Sequence, residues 1–374
     1  MKKKVIVGLS GGVDSSVAAL LLLQQGYHVE ALFMRNWDSV TNQDVMGSKN
    51  SQDHICEQER DYQDALAVAN HLGIVLHKVD FITEYWDRVF TYFLEEFKKN
   101  RTPNPDILCN NEIKFKAFIE YAQKFNPDFI AMGHYARITF QANSPQLLKA
   151  LDQNKDQSYF LSQLRNEQLT NILFPLGDLT KQEVRNIALK GNLPTANKKD
   201  STGICFIGER HFSQFLSNYL PAQPGKMCRL DGTYIKEHYG LMNYTIGQRK
   251  GLGIGGSQAT TDSWFVVGKD LTTNTLFVEP GDHPYLYSNK AIITDMVFRD
   301  VKKDGQYCAK FRYRQADIKI NLTWLDDTTC QVEYPQLVKA VTPGQVCAIY
   351  QGEVCLGAGF IDKVYLDGEQ RKYS

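Results

Sequence analysis

The organisation of this chain is decided by residues 5–19, which read VIVGLSGGVDSSVAA. The apolar run 5–7 predicts a buried parallel strand, and the apolar segment 17–23 predicts a helix. The turn between them, residues 10–16, contains two adjacent glycines, which let a backbone approach a ligand closely. The first free N–H groups of the helix would then face an anion, assisted by the helix dipole. The stretch therefore predicts a strand, an anion-binding loop and a helix.

Two kinds of phosphate-binding loop could explain this stretch. A Walker loop needs a Lys-Ser/Thr pair to hold the terminal phosphates, and no lysine lies between Gly8 and Leu23. The segment instead resembles the SGGxDS loop of ATP pyrophosphatases, enzymes that cleave ATP between the α- and β-phosphates and transfer AMP to a substrate oxygen. A glycine-rich turn without a ligand is the remaining alternative.

The resemblance to ATP pyrophosphatases implies a set of ATP-binding residues. Main-chain groups of Met34, at the end of a second predicted strand, would recognise adenine, although a plain core methionine would fit the sequence as well. Gly133, after a later strand, would allow the nucleotide to approach closely. The loop itself would contribute Gly8, Leu9, Ser10, Gly11, Gly12, Val13, Asp14 and Ser15.

Length and composition limit the class of protein. A chain of 374 residues is too long for one ordinary core, so two or three domains are expected. Lys+Arg and Asp+Glu both number 42, so the overall charge does not indicate a nucleic-acid binder, although a local basic face remains compatible with it. The sequence has neither the pattern of a signal peptide nor that of a membrane-spanning segment, and we expect a cytoplasmic location.

Strand and helix patterns alternate through the first half of the chain. Strands are predicted at 29–34, 74–80 and 128–132, and helices at 56–71 and 112–125. This alternation predicts an α/β fold with a doubly wound parallel sheet, whose ligands should lie at the carboxyl ends of the strands. Aromatic residues with helical spacing indicate core packing at Trp86, Phe90, Phe93 and Phe97.

The second half of the chain has a different pattern. Pro221, Pro224 and Gly225 mark a boundary, and a glycine-rich segment follows at 240–256. From about Lys290 apolar residues alternate with period two, which predicts a small antiparallel β-barrel. Basic residues cluster there and indicate either a nucleic-acid contact or a solvated strand face: Lys310, Arg312, Arg314 and Lys319.

Two irregular stretches carry cysteines in unusual surroundings. In residues 101–112, RTPNPDILCNNE, the prolines exclude a helix and predict a turn that presents Asp106 and Cys109. In residues 199–208, KDSTGICFIG, Cys205 lies between apolar neighbours. Only the fold could bring the two thiols together, because they are far apart in sequence.

The eight cysteines contain no CxxC pair and no Cys/His cluster with metal-ligand spacing. This absence argues against a metal site formed by a protein motif, and free thiols in a reducing compartment are expected. Six cysteines outside the two irregular stretches are predicted to be buried and inert: Cys56, Cys228, Cys308, Cys330, Cys347 and Cys355.

Six motifs occur in order along the chain: GLSGGVDSSVA, PNPDILCN, AMGHYAR, DQSYFL, DSTGICFIG and YTIGQRKGLG. Together they resemble the bacterial tRNA-specific 2-thiouridylase family along essentially the whole chain. The resemblance implies three domains. Residues 1–209 would form the ATP pyrophosphatase domain, 210–285 a central β-containing domain that orients tRNA, and 286–374 a tRNA-binding β-barrel.

The family resemblance also implies a reaction, the thiolation of the wobble uridine in tRNAs for Lys, Glu and Gln. ATP, with Mg²⁺, would adenylate the C2 oxygen of the base, and a persulfide on Cys205 would supply sulfur. Cys109 would release that sulfur and form a Cys109–Cys205 disulfide, while Asp106 would handle a proton. A cysteine desulfurase, directly or through a sulfur-relay protein, would load Cys205.

Contacts with tRNA are carried over from the same resemblance. Asn104, Pro105 and Asp106 would meet the target base, which has to be turned out of its stack. His134 would contact tRNA, although a satisfied structural histidine would fit the sequence equally. The other implied tRNA contacts are Lys155, Asp156, Gln157, Arg312, Tyr313 and Gln345.

Two other functions are compatible with an ATP pyrophosphatase loop. An amide-forming ligase, such as an NAD or GMP synthetase, would adenylate its substrate on the same fold but would not need paired cysteines. A non-catalytic tRNA-binding protein would have a decayed ATP loop. The intact SGGVDSS at residues 10–16 argues against decay.

Overall fold

The structure, a computed structural model, describes residues 2–38, 41–44, 57–200, 212–254 and 262–373. The chain divides into two compact units. The first unit comprises Met1–Phe90, Pro105–Phe215 and Gly352–Leu356, and the second comprises Thr91–Asn104, Leu216–Gln351 and Gly357–Ser374. Among the described residues, no helix has both the length and the apolar character needed to cross a membrane.

A five-stranded parallel sheet lies at the centre of the first unit, in the order β3-β2-β1-β4-β7. Its strands are β1 (Lys4–Gly8), β2 (His28–Arg35), β3 (Leu76–Asp80), β4 (Phe129–Ala131) and β7 (Ile172–Leu173). Val5, Ile6 and Val7 are completely buried, as expected for a strand covered on both faces. The predicted doubly wound parallel sheet is confirmed.

Helices connect the parallel strands. They include α1 (Val13–Gln24), α2 (Glu57–Leu72) and α8 (Lys181–Lys190). Ala19 and Leu22 of α1 share a buried cluster with Ala65 and Val68 of α2, beside the apolar side chains of β1 and β2. Helix α2 ends just before Gly73, whose φ of +66° no helix could continue, so its predicted end is confirmed.

The aromatic segment that follows β3 is helical with one irregular turn. It forms α3 (Ile82–Tyr85), a π-helix (Trp86–Phe90) and α4 (Thr91–Lys98). Phe90, Phe93 and Phe97 are buried, which confirms core packing, whereas Trp86 is only half-buried.

The prediction of a turn over residues 101–112 is wrong. A helix begins at Pro105 and includes α5 (Pro105–Leu108), a π-helix (Cys109–Ala117) and α6 (Phe118–Ala122), with a 3₁₀ turn at Gln123–Phe125. Proline is compatible with the first helical position, because the N–H that it lacks has no partner there. Pro105 therefore starts the helix and does not exclude it.

An antiparallel hairpin, β5 (Arg137–Gln141) and β6 (Ser144–Leu148), was not predicted from the sequence. Its turn residues Ala142 and Asn143 both have positive φ values, +47° and +66°. Such turns usually contain Asn-Gly or Asp-Gly, and Ala-Asn gave no comparable signal. Two further short helices, α7 (Asn166–Leu169) and α9 (Phe212–Ser217), complete the set of α-helices in the described residues.

The second unit contains a small sheet and a barrel. The small sheet has the order β10-β11-β8-β9, formed by β8 (Gly225–Cys228), β9 (Tyr234–His238), β10 (Trp264–Asp270) and β11 (Thr275–Pro280). Short 3₁₀ turns occur at Leu241–Asn243 and Pro284–Leu286.

Six antiparallel strands form the barrel, in the order β12-β15-β14-β13-β16-β17, and pairing of β12 with β17 closes it. The predicted antiparallel barrel is confirmed, and closure leaves no free edge for a foreign strand. The strands are β12 (Tyr287–Phe298), β13 (Gly305–Lys310), β14 (Ile318–Trp324), β15 (Cys330–Lys339), β16 (Val346–Gln351) and β17 (Val354–Leu366), and β18 (Glu369–Gln370) pairs with the end of β17.

One buried lysine in the second unit should make stability depend on pH. Lys269 of β10 is 1% exposed, its Nζ donates to the carbonyl oxygen of Asn100 at 2.9 Å, and burial lowers its pKa to about 7. The Lys269 ammonium holds its proton more tightly in the unfolded chain than in the folded one. Burying the charged form therefore destabilises the folded state fully below pH 7, and this destabilisation disappears as the pH rises toward 10.5.

We expect Lys269→Met to be most stabilising, relative to the wild type, at pH 6. That advantage should shrink by on the order of 3–4 kcal/mol by pH 10, as urea unfolding at the two pH values would measure. Lys363→Met, at an exposed position of β17, is the matched control and should show no such trend. An equal difference at both pH values would show that the pKa of Lys269 is not lowered in the folded protein.

Candidate active site

The glycine-rich loop joins the carboxyl end of β1 to the start of α1. Gly12 is the residue before the helix, with extended backbone angles (φ −94°, ψ 162°). Because glycine has no side chain, Gly12 cannot accept hydrogen bonds from the first helical N–H groups, as a Ser or Asp at this position would. The dipole of the twelve-residue α1 adds positive potential at this point. This end of the sheet is therefore suited to an anion.

Serine hydroxyls hold the loop in shape. The Ser15 hydroxyl accepts from the Ser10 N–H at 3.2 Å and donates to the Gly12 carbonyl at 3.1 Å. The Ser16 hydroxyl donates to the same carbonyl at 2.7 Å. Ser10 is exposed, whereas Ser15 is buried. Since the Ser15 proton goes to Gly12, the Ser10 hydroxyl is the donor in its 3.2 Å contact with the Ser15 hydroxyl. The backbone N–H groups are consequently the main loop groups available to a phosphate.

Other predicted ATP-binding residues have side chains committed to packing. Leu9 and Val13 are buried in apolar clusters, so only their backbone could contact a nucleotide. A Cβ on Gly8 would lie 2.7 Å from the Met132 sulfur. Met34 is half-buried near the carboxyl end of β2, in register with Val79 of β3, which is where a nucleotide at this sheet edge would pass.

Gly133, two residues after the end of β4, packs against the loop itself. A Cβ on this residue would lie 2.8 Å from the Ser15 nitrogen and 2.9 Å from its Cα. The absence of a side chain therefore lets the end of β4 touch the loop backbone. Whether Gly133 also approaches a nucleotide stays a prediction.

A charged cluster beside the loop was missed by the sequence reasoning. Asp14 Oδ1 accepts from the Tyr135 hydroxyl at 2.8 Å and from Lys181 Nζ at 2.7 Å. Lys181 also lies 2.8 Å from Asp200, which additionally pairs with Lys155 at 2.8 Å. Burial alone would raise the pKa of Asp200. The hydrogen bonds from Lys155 and Lys181, and the positive charges of these two lysines, outweigh burial and lower the pKa to about 2. Asp200 thus stays ionised and is tied to the loop through Lys181.

The signal for this cluster was weak in sequence. Thr180 caps α8 in a capping box with Glu183, which predicts a helix start at Lys181. Nothing local relates that helix to Asp14, because only the parallel sheet brings the two together.

A second lysine holds the other side of the loop. Lys198 Nζ donates to the Gly11 carbonyl at 3.1 Å, to Asp61 at 2.7 Å and to Asp64 at 2.5 Å. Both carboxylates lie on α2. Lys198 therefore offsets part of the negative charge of two carboxylates beside an anion-binding loop and fixes one of the loop's peptide groups.

We expect Lys198→Met to raise the KM for ATP by about tenfold with a smaller change in kcat, since two carboxylates would then repel the phosphates. Steady-state pyrophosphate release at varied ATP concentration measures this. Lys190→Met, at the exposed end of α8, is the matched control and should leave the KM unchanged. An unchanged KM in Lys198→Met would contradict the role assigned to this lysine.

Comparison with known proteins places this geometry in a family. Residues 3–209 match the family model described as tRNA methyl transferase HUP domain. The chain is 69% identical over 375 residues to tRNA-specific 2-thiouridylase MnmA of Acholeplasma laidlawii, covering 100% of both chains. The chain belongs to the tRNA-specific 2-thiouridylase family.

Other members of the 2-thiouridylase family match over nearly their full length. The protein of that name from Aster yellows witches'-broom phytoplasma is 61% identical, over 99% of this chain and 100% of the relative. The one from Listeria monocytogenes is 52% identical, over 99% and 97%. Residues 213–280 match a tRNA methyl transferase PRC-barrel domain and residues 288–361 an aminomethyltransferase beta-barrel domain.

The two cysteines highlighted by the 2-thiouridylase resemblance differ in what the structure describes. Cys109 is 1% exposed at the first residue of its π-helix, so the prediction that a turn presents it is wrong. Asp106, one turn earlier, is half-buried. Cys205 lies outside the described residues, and its pairing with Cys109 stays a prediction.

Four of the remaining cysteines are buried, as predicted, whereas the predicted burial of Cys308 is wrong. Burial raises the pKa of Cys330 to about 12 and that of Cys347 well above its ordinary value, so neither readily forms a thiolate. Cys228 and Cys355 are also buried, and Cys308 is half-buried. Cys56 lies outside the described residues.

Three of the residues expected to contact tRNA in a 2-thiouridylase have partners within the chain. Asp156 is buried and accepts from the N–H groups of Ala150 and Ser158, both at 3.1 Å. Gln157 Oε1 accepts from the Tyr135 N–H at 2.9 Å, and Lys155 pairs with Asp200. Asp156 therefore shapes its own turn, and direct contact with tRNA by these three residues stays a prediction.

His134 is buried, and its Nε2 lies 3.1 Å from the Asn110 side-chain oxygen. Burial first, and then the charge of Lys114, hold the pKa of His134 well below its ordinary value. The histidine is therefore neutral at pH 7.

The basic residues of the barrel are not equivalent. Arg312, Arg314 and Lys319 are exposed, as a nucleic-acid contact would need, and Tyr313 is half-buried. Lys310 is 8% exposed and lies 3.8 Å from Asp317, so including it in an exposed basic face was wrong.

The side chain of Gln345 points to the chain itself, since its Nε2 donates to the Thr102 carbonyl at 2.6 Å. Thr102 N–H in turn donates to the Pro343 carbonyl at 3.0 Å. The barrel turn thus holds the segment that leads to Asn104 and Pro105.

Proposed function

We propose that this protein thiolates the wobble uridine of tRNA, with ATP as the activating substrate. The observation that carries the proposal is the full-length 69% identity to a tRNA-specific 2-thiouridylase, combined with an intact SGGVDSS loop at the start of α1. The family-model descriptions contain the word methyl transferase, but a loop of this kind serves ATP cleavage between the α- and β-phosphates. An amide-forming ligase is not favoured, since the named relatives are thiolation enzymes.

The first step would activate the base. The uracil C2 oxygen attacks the α-phosphate of ATP, pyrophosphate leaves, and C2 then carries AMP as a leaving group. Loop N–H groups would hold phosphate oxygens, and the Ser10 hydroxyl would join them by turning away from Ser15. Asp14 Oδ1 is already bonded to Tyr135 and Lys181, so a magnesium ion accompanying ATP would be held by the phosphates and could take only the other carboxylate oxygen of Asp14.

The second step would transfer sulfur. The terminal sulfur of a persulfide on Cys205 adds to C2, and AMP departs. The Cys109 thiolate then attacks the Cys205 sulfur, which breaks the persulfide S–S bond, leaves sulfur on C2 and forms a Cys109–Cys205 disulfide. A dithiol reductant returns two electrons to restore both thiols. Asp106 would take up or return a proton beside the base.

Burial of Cys109 sets a condition for this step. Its thiol is 1% exposed, so the persulfide sulfur of Cys205 has to meet it inside the fold, shielded from solvent. We therefore include in the proposal that the segment carrying Cys205 packs directly against the start of the π-helix during the reaction.

The proposal assigns a task to each predicted domain. Residues 1–209 would carry the chemistry, 210–285 would orient the anticodon arm, and 286–374 would grip tRNA through Arg312 and Tyr313. A cysteine desulfurase or a sulfur-relay protein would load Cys205. Because the substrate is tRNA, the proposed location is the cytoplasm.

The test is incubation of the protein with ATP, Mg²⁺, a persulfide donor and unmodified tRNA, followed by mass analysis of the nucleosides. We expect 2-thiouridine at the wobble position and release of AMP and pyrophosphate only when tRNA is present. Pyrophosphate release that requires ammonia and ignores tRNA would indicate a ligase. Binding of tRNA without any pyrophosphate release would indicate a non-catalytic protein.

A further inference from the structure

His134 stands between the ATP loop and Cys109. On one side, Gly133 packs on the backbone of Ser15, with a Cβ position 2.8 Å from the Ser15 nitrogen. On the other side, His134 Nε2 meets the side-chain oxygen of Asn110 at 3.1 Å, and Asn110 directly follows Cys109. A base whose C2 oxygen receives AMP, and whose C2 then exchanges that oxygen for sulfur, would have to lie near both of these points.

Asn110 fixes which nitrogen of His134 carries the proton. Asn110 Nδ2 donates to the Asp106 carbonyl at 2.9 Å, and a carbonyl can only accept. This bond sets the orientation of the amide, so Oδ1 is the atom that faces His134. Because Oδ1 also can only accept, His134 Nε2 must be the protonated nitrogen.

The other ring nitrogen of His134 is then an unused acceptor. A neutral imidazole protonated on Nε2 has a lone pair on Nδ1. His134 is 9% exposed, and Nδ1 is buried without a hydrogen-bond partner among the described residues. Two aromatic rings pack against the imidazole of His134, those of Phe115 and Phe174, at ring-centroid distances of 5.6 and 6.0 Å. A buried acceptor left unpaired in this way costs free energy, which a ligand N–H would recover.

We propose that Asn110 is a positioning residue that fixes His134 with Nδ1 as an acceptor, and that Nδ1 receives the N3–H of the target uracil. Uracil presents a donor at N3, whereas cytosine presents a lone pair there. A lone pair facing Nδ1 would be rejected, so the pair would select uridine over cytidine. This inference rests on the proposed function and adds a basis for the choice of base.

The selectivity can be measured by binding. We would compare anticodon stem-loops that carry uridine, cytidine or 3-deazauridine at the wobble position. The last of these lacks N3–H. Binding is measured with an ATP analogue that cannot be cleaved between the α- and β-phosphates. For the wild type we expect Kd to be about ten- to a hundredfold lower for uridine than for the other two. In His134→Ala and Asn110→Ala the preference should fall below about threefold. His28→Ala, an exposed histidine at the start of β2, should keep it.

Nitrogen-15 NMR of the histidine-labelled protein tests the tautomer without requiring a variant that folds. We expect His134 to show a protonated Nε2 and an unprotonated Nδ1 in the wild type, and a mixture in Asn110→Ala. A protonated Nδ1 in the wild type would overturn the inference. So would a wild type that binds uridine and cytidine stem-loops equally, because Nδ1 would then bind only water. Thiolation by the wild type together with retained selectivity in both variants would overturn it and leave the proposed function intact. A wild type that neither binds nor thiolates tRNA would overturn both.

Discussion

Cys205→Ser is expected to abolish thiolation of tRNA, with a loss of at least about a thousandfold, while its affinity for tRNA stays within about twofold of the wild type. Serine keeps the size of the side chain but cannot carry a persulfide, so the sulfur donor is lost and the surface that binds tRNA is not. Nucleoside mass analysis measures the first quantity and filter binding the second.

The same variant separates activation from sulfur transfer. Because adenylation precedes the sulfur step, Cys205→Ser should still release pyrophosphate once in a tRNA-dependent burst. Cys228→Ser, at a buried cysteine with no assigned role, is the control and should thiolate normally if it folds. Thiolation by Cys205→Ser at the wild-type rate would remove this cysteine from the mechanism.

Gly11→Ala is expected to have the second largest effect, on ATP binding. Gly11 has a φ of +75°, and a Cβ there would lie 2.2 Å from the Asp61 carbonyl oxygen of α2. Both atoms belong to backbone, so the loop or the helix has to move. We expect the KM for ATP in pyrophosphate release to rise more than about tenfold, with a loss of stability of about 2–3 kcal/mol.

Gly26→Ala provides a matched control for this effect. Gly26 has a similar φ of +87°, but nothing lies within 4 Å of its added Cβ. It should therefore show only the conformational cost of about 1 kcal/mol and an unchanged KM for ATP. If both variants lowered stability equally and neither changed the KM, the contact between Gly11 and α2 would have no part in shaping the loop.

The sequence was most informative where structure is decided locally. The run Val5-Ile6-Val7, the glycines that follow and the apolar start of α1 lie within twenty residues, and their strand, loop and helix are all present in the structure. The period-two pattern after Lys290 likewise predicted the barrel, because alternation along each strand determines which face is buried.

The sequence was less informative where the fold joins distant segments. Lys181 meets Asp14, and Lys198 meets Gly11, only because the parallel sheet places α8 and the segment after it beside the loop. No spacing rule relates residues so far apart. The error at Pro105 had a local cause, since proline was treated as a helix breaker at a position where it starts a helix.

His134 illustrates an ambiguity that only side-chain geometry could resolve. A lone histidine after a strand is compatible with a ligand contact or with a satisfied buried group. The structure gives it one partner, Asn110, and leaves Nδ1 unpaired among the described residues. Neither fact could be deduced from the motif AMGHYAR.

In the proposed reaction, an activated base takes its sulfur from Cys205 with the help of Cys109. This can be followed in a single turnover without reductant, using unmodified tRNA, ATP and protein whose Cys205 persulfide carries isotopically labelled sulfur. We expect labelled 2-thiouridine and an equal amount of Cys109–Cys205 disulfide, both identified by mass spectrometry. Unlabelled 2-thiouridine, or labelled 2-thiouridine with both cysteines still free, would contradict it.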